Sequence, residues 1–138
     1  MNVDTVEPRV GCGAAIIENG KVLLVRRRRE PEAGCWGLPG GKVDSFECVA
    51  DAVAREIREE LGIVIKPIDL LCVVDQIDRA EGQHWIAPVF RVDSHNGTPT
   101  IQEPDALSDL GWFDLDDLPA ALTEATKQAV VALKRGTI

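Results

Sequence analysis

Three glutamates, Glu56, Glu59 and Glu60, fall within one short stretch of the chain. At about 100° per residue they share an arc of roughly 100° on an α-helix. Carboxylates gathered in this way repel one another and weaken the helix unless positive charge sits among them. Arg55 and Arg58 relieve part of that repulsion. A divalent cation relieves more, and clustered carboxylate oxygens are the donors Mg²⁺ prefers. Val53, Ile57 and Leu61 recur on the neighbouring arc as a core face, which leaves the glutamate face expected to be exposed. Taken alone, Arg-Glu-Ile-Arg-Glu-Glu reads equally well as a solvated, salt-bridged helix surface. The surroundings separate the two readings. Just upstream stand Gly40 and Gly41, behind a stiffening Pro39. A backbone without side chains there admits a phosphate or offers a carbonyl to a metal.

The helix needs elements to hold it. Val10 to Ile17 and Val22 to Val25 read as a β-hairpin around Asn19-Gly20. Arg26 to Gly34 is a charged loop, followed by a short strand from Cys35 to Leu38. The first helix is predicted over Glu47 to Leu61, capped by Asp44 or Ser45 and stopped by Gly62. Leu70 to Gln76 and Trp85 to Val92 are further strands, with a turn at 78–83. His95 to Asp109 is mostly loop, and Leu110 to Asp114 is a last strand. Asp116 or Asp117 is expected to cap a second helix, with Pro119 in its first turn and an end near Lys134. The order predicts one α/β domain with a mixed sheet over residues 1–138, its core spanning about 9–133.

Composition narrows the class. The chain has 138 residues, 45% apolar and 28% charged, which suits a folded soluble domain. No apolar run nears the ~20 residues of a membrane helix. Met1 to Glu7 lacks the basic start and apolar stretch of a signal peptide, so a cytoplasmic location is expected. Fifteen Lys and Arg against 23 Asp and Glu give a net charge of −8, which disfavours nucleic-acid binding. Small phosphorylated substrates are compatible with that charge where cations neutralise the site. Cys12, Cys35, Cys48 and Cys72 form no CxxC pair and read as reduced thiols.

From Gly41 to Ile63 the sequence GKVDSFECVADAVAREIREELGI resembles the Nudix box. Gly41, Glu47, Arg55, Glu56, Ile57, Glu59, Glu60, Gly62 and Ile63 fill its nine specified positions. Leu23 to Arg26, Trp36 to Gly41 and Trp112 to Leu115 extend the resemblance. One departure is Phe46, where many members place Gly; it alters the loop before the helix and removes no ligand. The resemblance implies a Nudix-like α/β/α sandwich and a Mg²⁺-dependent hydrolase, with Mn²⁺ able to substitute. It implies cleavage of a nucleoside diphosphate linked to another group. Glu59 and Glu60 would ligate the metal, helped by the Gly40 carbonyl. Glu56 would be a further ligand or the general base. Arg55 would orient a glutamate, by an ion pair with Glu47 or Glu56, and Glu47 belongs to the loop or outer shell.

Other positions divide between site and scaffold. Arg26 matches a family arginine that contacts substrate phosphate, with Arg27 the second choice. Glu103 stands where some relatives carry an extra metal-binding Glu. Gly41 would let a phosphate approach. Trp36 and Trp85 are candidates to stack on a base, or core residues. His84 reaches substrate or serves as a structural His. Dinucleoside polyphosphate hydrolases usually carry a Tyr beyond the box, and the chain has none. ADP-ribose-selective relatives tend to have a Pro where Asp78-Arg79-Ala80 stands. The layout looks most like MutT-type nucleoside triphosphate pyrophosphohydrolases, with ADP-ribose or another nucleotide-sugar as the alternative. A non-catalytic nucleotide-sensing module is the reading from another class, and it would be expected to lose a box glutamate. Lookalikes are commonly dimers, so a homodimer is compatible with the resemblance.

Overall fold

Asn19 and Gly20 both take positive φ, at 53° and 76°, and so join β1 (Arg9–Glu18) to β2 (Lys21–Arg27) in a tight hairpin turn. The structure, a computed structural model, describes residues 7–136. Met1–Val6, most of the segment read above for a leader, lies outside the described residues. β1 and β2 pair antiparallel only next to their turn, at Ile17 with Val22 and Glu18 with Lys21. Beyond it they part. β2 takes up β3 (Trp36–Gly37) and β9 (Leu107–Asp114). β1 takes up β4 (Gly40–Lys42) and, in parallel, β7 (Gln83–Val92). β6 (Asp69–Asp78) pairs with β7 and ends the mixed sheet.

Alternation along the strands gives this sheet two apolar faces. Cys12, Ala14, Ile16, Leu23 and Val25 pack with Ala52, Val53, Ile57 and Leu61 of α1 (Val49–Leu61). Ala15, Val22, Leu24, Val74 and Val89 pack with Ala129 and Leu133 of α2 (Glu124–Arg135). The sheet is thus covered on both sides, as an α/β/α sandwich. A two-stranded satellite joins β5 (Val64–Ile65) to β8 (His95–Asn96), and β8 lies inside the region expected to be mostly loop.

Both helices start later than the sequence predicts. α1 begins at Val49, and its N-cap residue Cys48 makes no side-chain cap bond. Asp44 and Ser45 are not caps. Asp44 and Glu47 instead close a turn on themselves: the Glu47 N–H donates to the Asp44 carbonyl, and the Asp44 N–H to Glu47 Oε1, each at 3.1 Å. Gly62 ends the helix as expected, at φ 69°. α2 starts after Thr123, not at Asp116 or Asp117. The Trp36 N–H donates to the Ala121 carbonyl and the Thr123 N–H to the Trp36 carbonyl, which ties 121–123 to β3 and keeps this segment out of the helix. The Thr123 hydroxyl then accepts from the Thr126 N–H and lies 2.7 Å from the Thr126 hydroxyl. Farther along α2, the Gln128 side-chain amide bonds both ways with the Asp75 backbone. It accepts from the N–H at 3.2 Å and donates to the carbonyl at 2.7 Å.

Because the Thr123 hydroxyl is buried and caps α2, Thr123→Ala is expected to destabilise the protein by about 1–2 kcal/mol. Equilibrium denaturation measures this, and an unchanged midpoint would count against the cap.

Candidate active site

Arg55 organises the acidic face of α1. Its guanidinium grips Glu47 with two hydrogen bonds, Nε to Oε2 at 2.8 Å and Nη2 to Oε1 at 3.0 Å. Nη1 donates to Glu56 at 3.0 Å and to Glu59 at 3.2 Å, and Nη2 also reaches the Lys42 carbonyl at 2.9 Å. Asp44 lies 3.4 Å from Nη2. The hydrogen bonds to Glu47, above all, raise the Arg55 pKa further above its usual range. In return, Arg55 holds the Glu47 carboxyl below the usual carboxylate range. Glu47 stands before the first turn of α1, in the loop. That loop contains Phe46 at φ 66°, the left-handed conformation glycine adopts freely. Phe46 therefore takes, at some strain, a conformation that a glycine would take freely.

Glu60 is not on an exposed face. It is 9% exposed, and its Oε1 accepts the Gly40 N–H at 2.8 Å. Burial pushes its pKa from 4.5 up to about 8; the Glu56 and Glu103 charges add to the rise, while the Gly40 hydrogen bond and Arg27 oppose it. The arc of three glutamates predicts an exposed Glu60, but α1 tilts Glu60 into the protein while Glu59 stays outside. Gly40 and Gly41 are required by contact. A Cβ at Gly40 would collide with the Cys12 carbonyl, and one at Gly41 with the Glu56 carboxylate. Cys12, buried beneath them, has its thiol pushed up to about 11 by that burial.

A cavity of about 920 Å³ opens where β1 and β2 part. Gly11, Gly13, Gly40, Gly41 and Glu60 line it, together with Trp85, Ala87 and Val89 of β7. Arg27 lines it as well, from the end of β2. Arg26, the first choice from sequence, does not. It points away and bonds the Gly34 carbonyl at 3.1 Å, with Asp109 3.9 Å off. Adjacent residues of a strand face opposite ways, so Arg27 takes the cavity side and Arg26 loses it. The same rule separates His84 from Trp85. Gln83, Trp85, Ala87 and Val89 share the cavity face of β7, and His84 lies opposite. Trp36 is also outside the cavity; it packs edge-on against Phe113 at 5.0 Å in the core beneath α2. Trp85, whose ring lies under the Arg9 guanidinium at 5.7 Å, is the aromatic that reaches the cavity. Glu103 sits in a turn where its carbonyl accepts the Ala106 and Leu107 N–H groups, close enough for its charge to be felt at Glu60.

These groups fit a hard divalent cation by their chemistry. They are oxygen donors, and a buried carboxyl facing two further carboxylates is relieved by positive charge. Among the described residues, no three His, Cys, Asp or Glu side chains are drawn together as a ready cage. Arg55 is what Glu47, Glu56 and Glu59 converge on instead.

The Glu60 shift carries a pH signature. Between about 4.5 and about 8 an unfolded chain has released the proton that the folded chain keeps, so stability falls as pH rises through that window. Metal-stripped protein should show this decline in thermal melts with chelator, and Glu60→Gln should flatten it. An equal slope in the variant would assign the titration elsewhere.

Residues 7–133 match the NUDIX domain. The chain is 38% identical to an ADP-ribose pyrophosphatase of Methanocaldococcus jannaschii over 114 residues, covering 83% of this chain and 66% of that protein. It is 36% identical to a putative 8-oxo-dGTP diphosphatase 2 of Mycobacterium tuberculosis, covering 80% of this chain and 78% of that one. A crystal structure of a MutT NUDIX hydrolase from Burkholderia pseudomallei superposes with a TM-score of 0.91 at 58% identity, covering 93% of this chain and 99% of that one. With three of its box glutamates gathered by Arg55 and the fourth, Glu60, bonded to the Gly40 N–H, the chain belongs to the NUDIX family.

Proposed function

We propose that this protein hydrolyses a phosphoanhydride bond in a nucleoside diphosphate-linked substrate, with a nucleoside triphosphate converted to monophosphate and pyrophosphate. One observation carries the reading. A buried carboxyl, Glu60, and a side-chain-free Gly40-Gly41 turn packed against the Glu56 carboxylate line a cavity that also presents a cation, Arg27, and an aromatic ring, Trp85. At about 920 Å³ the cavity has room for a nucleotide.

NUDIX hydrolases need divalent cations, and Mg²⁺ is the proposed ion here, with Mn²⁺ able to replace it. Glu56, Glu59 and Glu60 would hold it, with the Gly40 carbonyl and Glu103 as further donors. When bound, the cation supplies Lewis-acid polarisation of the diphosphate and neutralises its charge. Arg55 keeps Glu47, Glu56 and Glu59 in place. Glu56, where it is not a ligand, accepts the proton of the attacking water as the P–O bond of the anhydride bridge between the α- and β-phosphates breaks, leaving monophosphate and pyrophosphate. The Gly41 backbone leaves the approach to Glu56 open. Arg27 binds phosphate oxygens, and the Trp85 ring stacks on the base. ADP-ribose is the second reading, favoured by the likeness to the ADP-ribose pyrophosphatase of Methanocaldococcus jannaschii.

Glu60→Gln keeps an acceptor for the Gly40 N–H and is expected to fold while losing at least about a hundredfold in kcat, the scale of a lost catalytic group. A variant that keeps most of its Mg²⁺-dependent turnover would remove Glu60 from the metal site. Arg27→Ala should raise KM for nucleotides more than Arg26→Ala does; the reverse order would return the phosphate contact to Arg26. A Mg²⁺-dependent screen of canonical and oxidised nucleoside triphosphates and ADP-ribose, with products assigned by phosphate position, tests the substrate. Turnover of ADP-ribose alone selects the second reading. Nucleotide binding without any turnover would sink both in favour of a sensing module.

A further inference from the structure

Residues 28–35 link β2 to β3 along the cavity, and they are fastened at both ends of its mouth. On one side, Arg27 Nε donates to the Pro31 carbonyl at 2.9 Å, so the loop backbone fixes where the guanidinium stands. On the other, Glu32 reaches across to two separate elements. Its Oε1 accepts from Gln76 Nε2 of β6 at 3.1 Å, and its Oε2 accepts the Glu124 N–H in the first turn of α2 at 2.8 Å. Arg27, Pro31, Glu32 and Gln76 all line the cavity. Glu32 holds this position at φ 62°, which residues with a side chain rarely adopt. Thr123 already caps the Thr126 N–H of α2, so the helix does not depend on Glu32 for its start. The carboxylate takes a different backbone donor, and in doing so spans from the loop to the far wall.

We propose that Glu32 is a positioning residue: it straps the 28–35 loop across the cavity to Gln76 and α2, and through Pro31 it sets Arg27 toward the phosphate end. This rests on the nucleotide-hydrolase reading of the cavity for its kinetic consequence, though not for the strap itself. Glu32 touches no reacting atom in this scheme. Its removal releases the 31–33 end of the loop from Gln76 and α2, while Arg28 still bonds the Pro104 carbonyl at 2.8 Å. The Pro31 carbonyl that orders Arg27 is then held less firmly. The effect falls on binding of the ground state and the transition state alike, and so on KM rather than on kcat.

The test is a kinetic cycle on the Mg²⁺-loaded protein with the substrate found by the screen, using Glu32→Ala, Arg27→Ala and the double variant. Glu32→Ala is expected to raise KM about tenfold, the scale of one charge-assisted hydrogen bond, with kcat within about twofold of wild type. The double variant should have the KM of Arg27→Ala alone, because Glu32 acts through Arg27. Glu32→Gln keeps one acceptor oxygen and should fall between; it carries the same cycle if the alanine variant does not fold. Trypsin gives a readout independent of turnover, since Arg28 and Arg29 lie in the loop. Cleavage there should quicken in Glu32→Ala at unchanged Tm. Independent, multiplying effects on KM, a change in kcat alone, or cleavage at the wild-type rate would each overturn the proposal. A wild-type protein that turns over no nucleotide would sink the hydrolase reading, and the trypsin comparison would still decide the strap.

Discussion

Carboxylates packed on one helix face repel, and here a single guanidinium absorbs most of that repulsion. Arg55 bonds Glu47, Glu56 and Glu59 and the Lys42 carbonyl at once. Its contacts join three separate pieces: helix α1, the loop before it, and strand β4. Because the fork reaches Glu47 in the loop, the 44–47 turn is drawn against the helix, and the helix starts later. Because it reaches Lys42, β4 is held where Gly41 faces the Glu56 carboxylate. The arrangement is local in energy and wide in effect. Glu60 is the acid that Arg55 does not serve, and burial leaves it the one most in need of a cation.

The cavity depends on a second constraint, the parting of β1 from β2. Two strands joined by a tight turn usually stay paired along their length. Here β1 is instead claimed by β4 and β7, while β2 is claimed by β3 and β9. Glycine at positions 11 and 13 keeps the β1 wall free of side chains; a Cβ at Gly11 would stand 3.2 Å from the Gly41 carbonyl. Pro39 bridges the gap, its carbonyl accepting the Ala14 N–H at 3.0 Å. The acidic helix and the cavity therefore meet at the Pro39-Gly40-Gly41 turn.

The turn and the helix were legible in the sequence because they are local in the chain, whereas the grip of Arg55 on Glu47 or Glu56 was implied by the resemblance to the Nudix box. Residues a helical turn apart meet whatever the rest of the fold does, and the box spacing records that. The cavity walls were less legible, since they depend on which way each strand residue faces. Arg26 and Arg27 differ by one position, as do His84 and Trp85, and in each case the neighbour of the expected residue lines the cavity. Alternation along β7 from the buried Val89 would have chosen Trp85 over His84. Nothing local foretold that 121–123 would pair with β3, so Asp116 and Asp117 looked like better helix starts than Thr123. Glu60 looked exposed because its helical arc is polar; it is instead met by β4, where Gly40 bonds its carboxyl, and by the segment between β8 and β9, where the Gln102 N–H reaches its carbonyl.

The two-way bond between Gln128 and Asp75 has a consequence for the sheet as a whole. β6 is its outermost strand, and an outer strand offers unpaired N–H and carbonyl groups that recruit further strands. A carboxamide carries the same donor and acceptor as a peptide unit. Through Gln128, α2 supplies one peptide's worth of the next strand and stops there. An incoming chain would have to displace a packed helix before it could extend the sheet at that point. The fold thus ends its own sheet growth with a side chain, on the strand whose Gln76 and Asp78 help to wall the cavity.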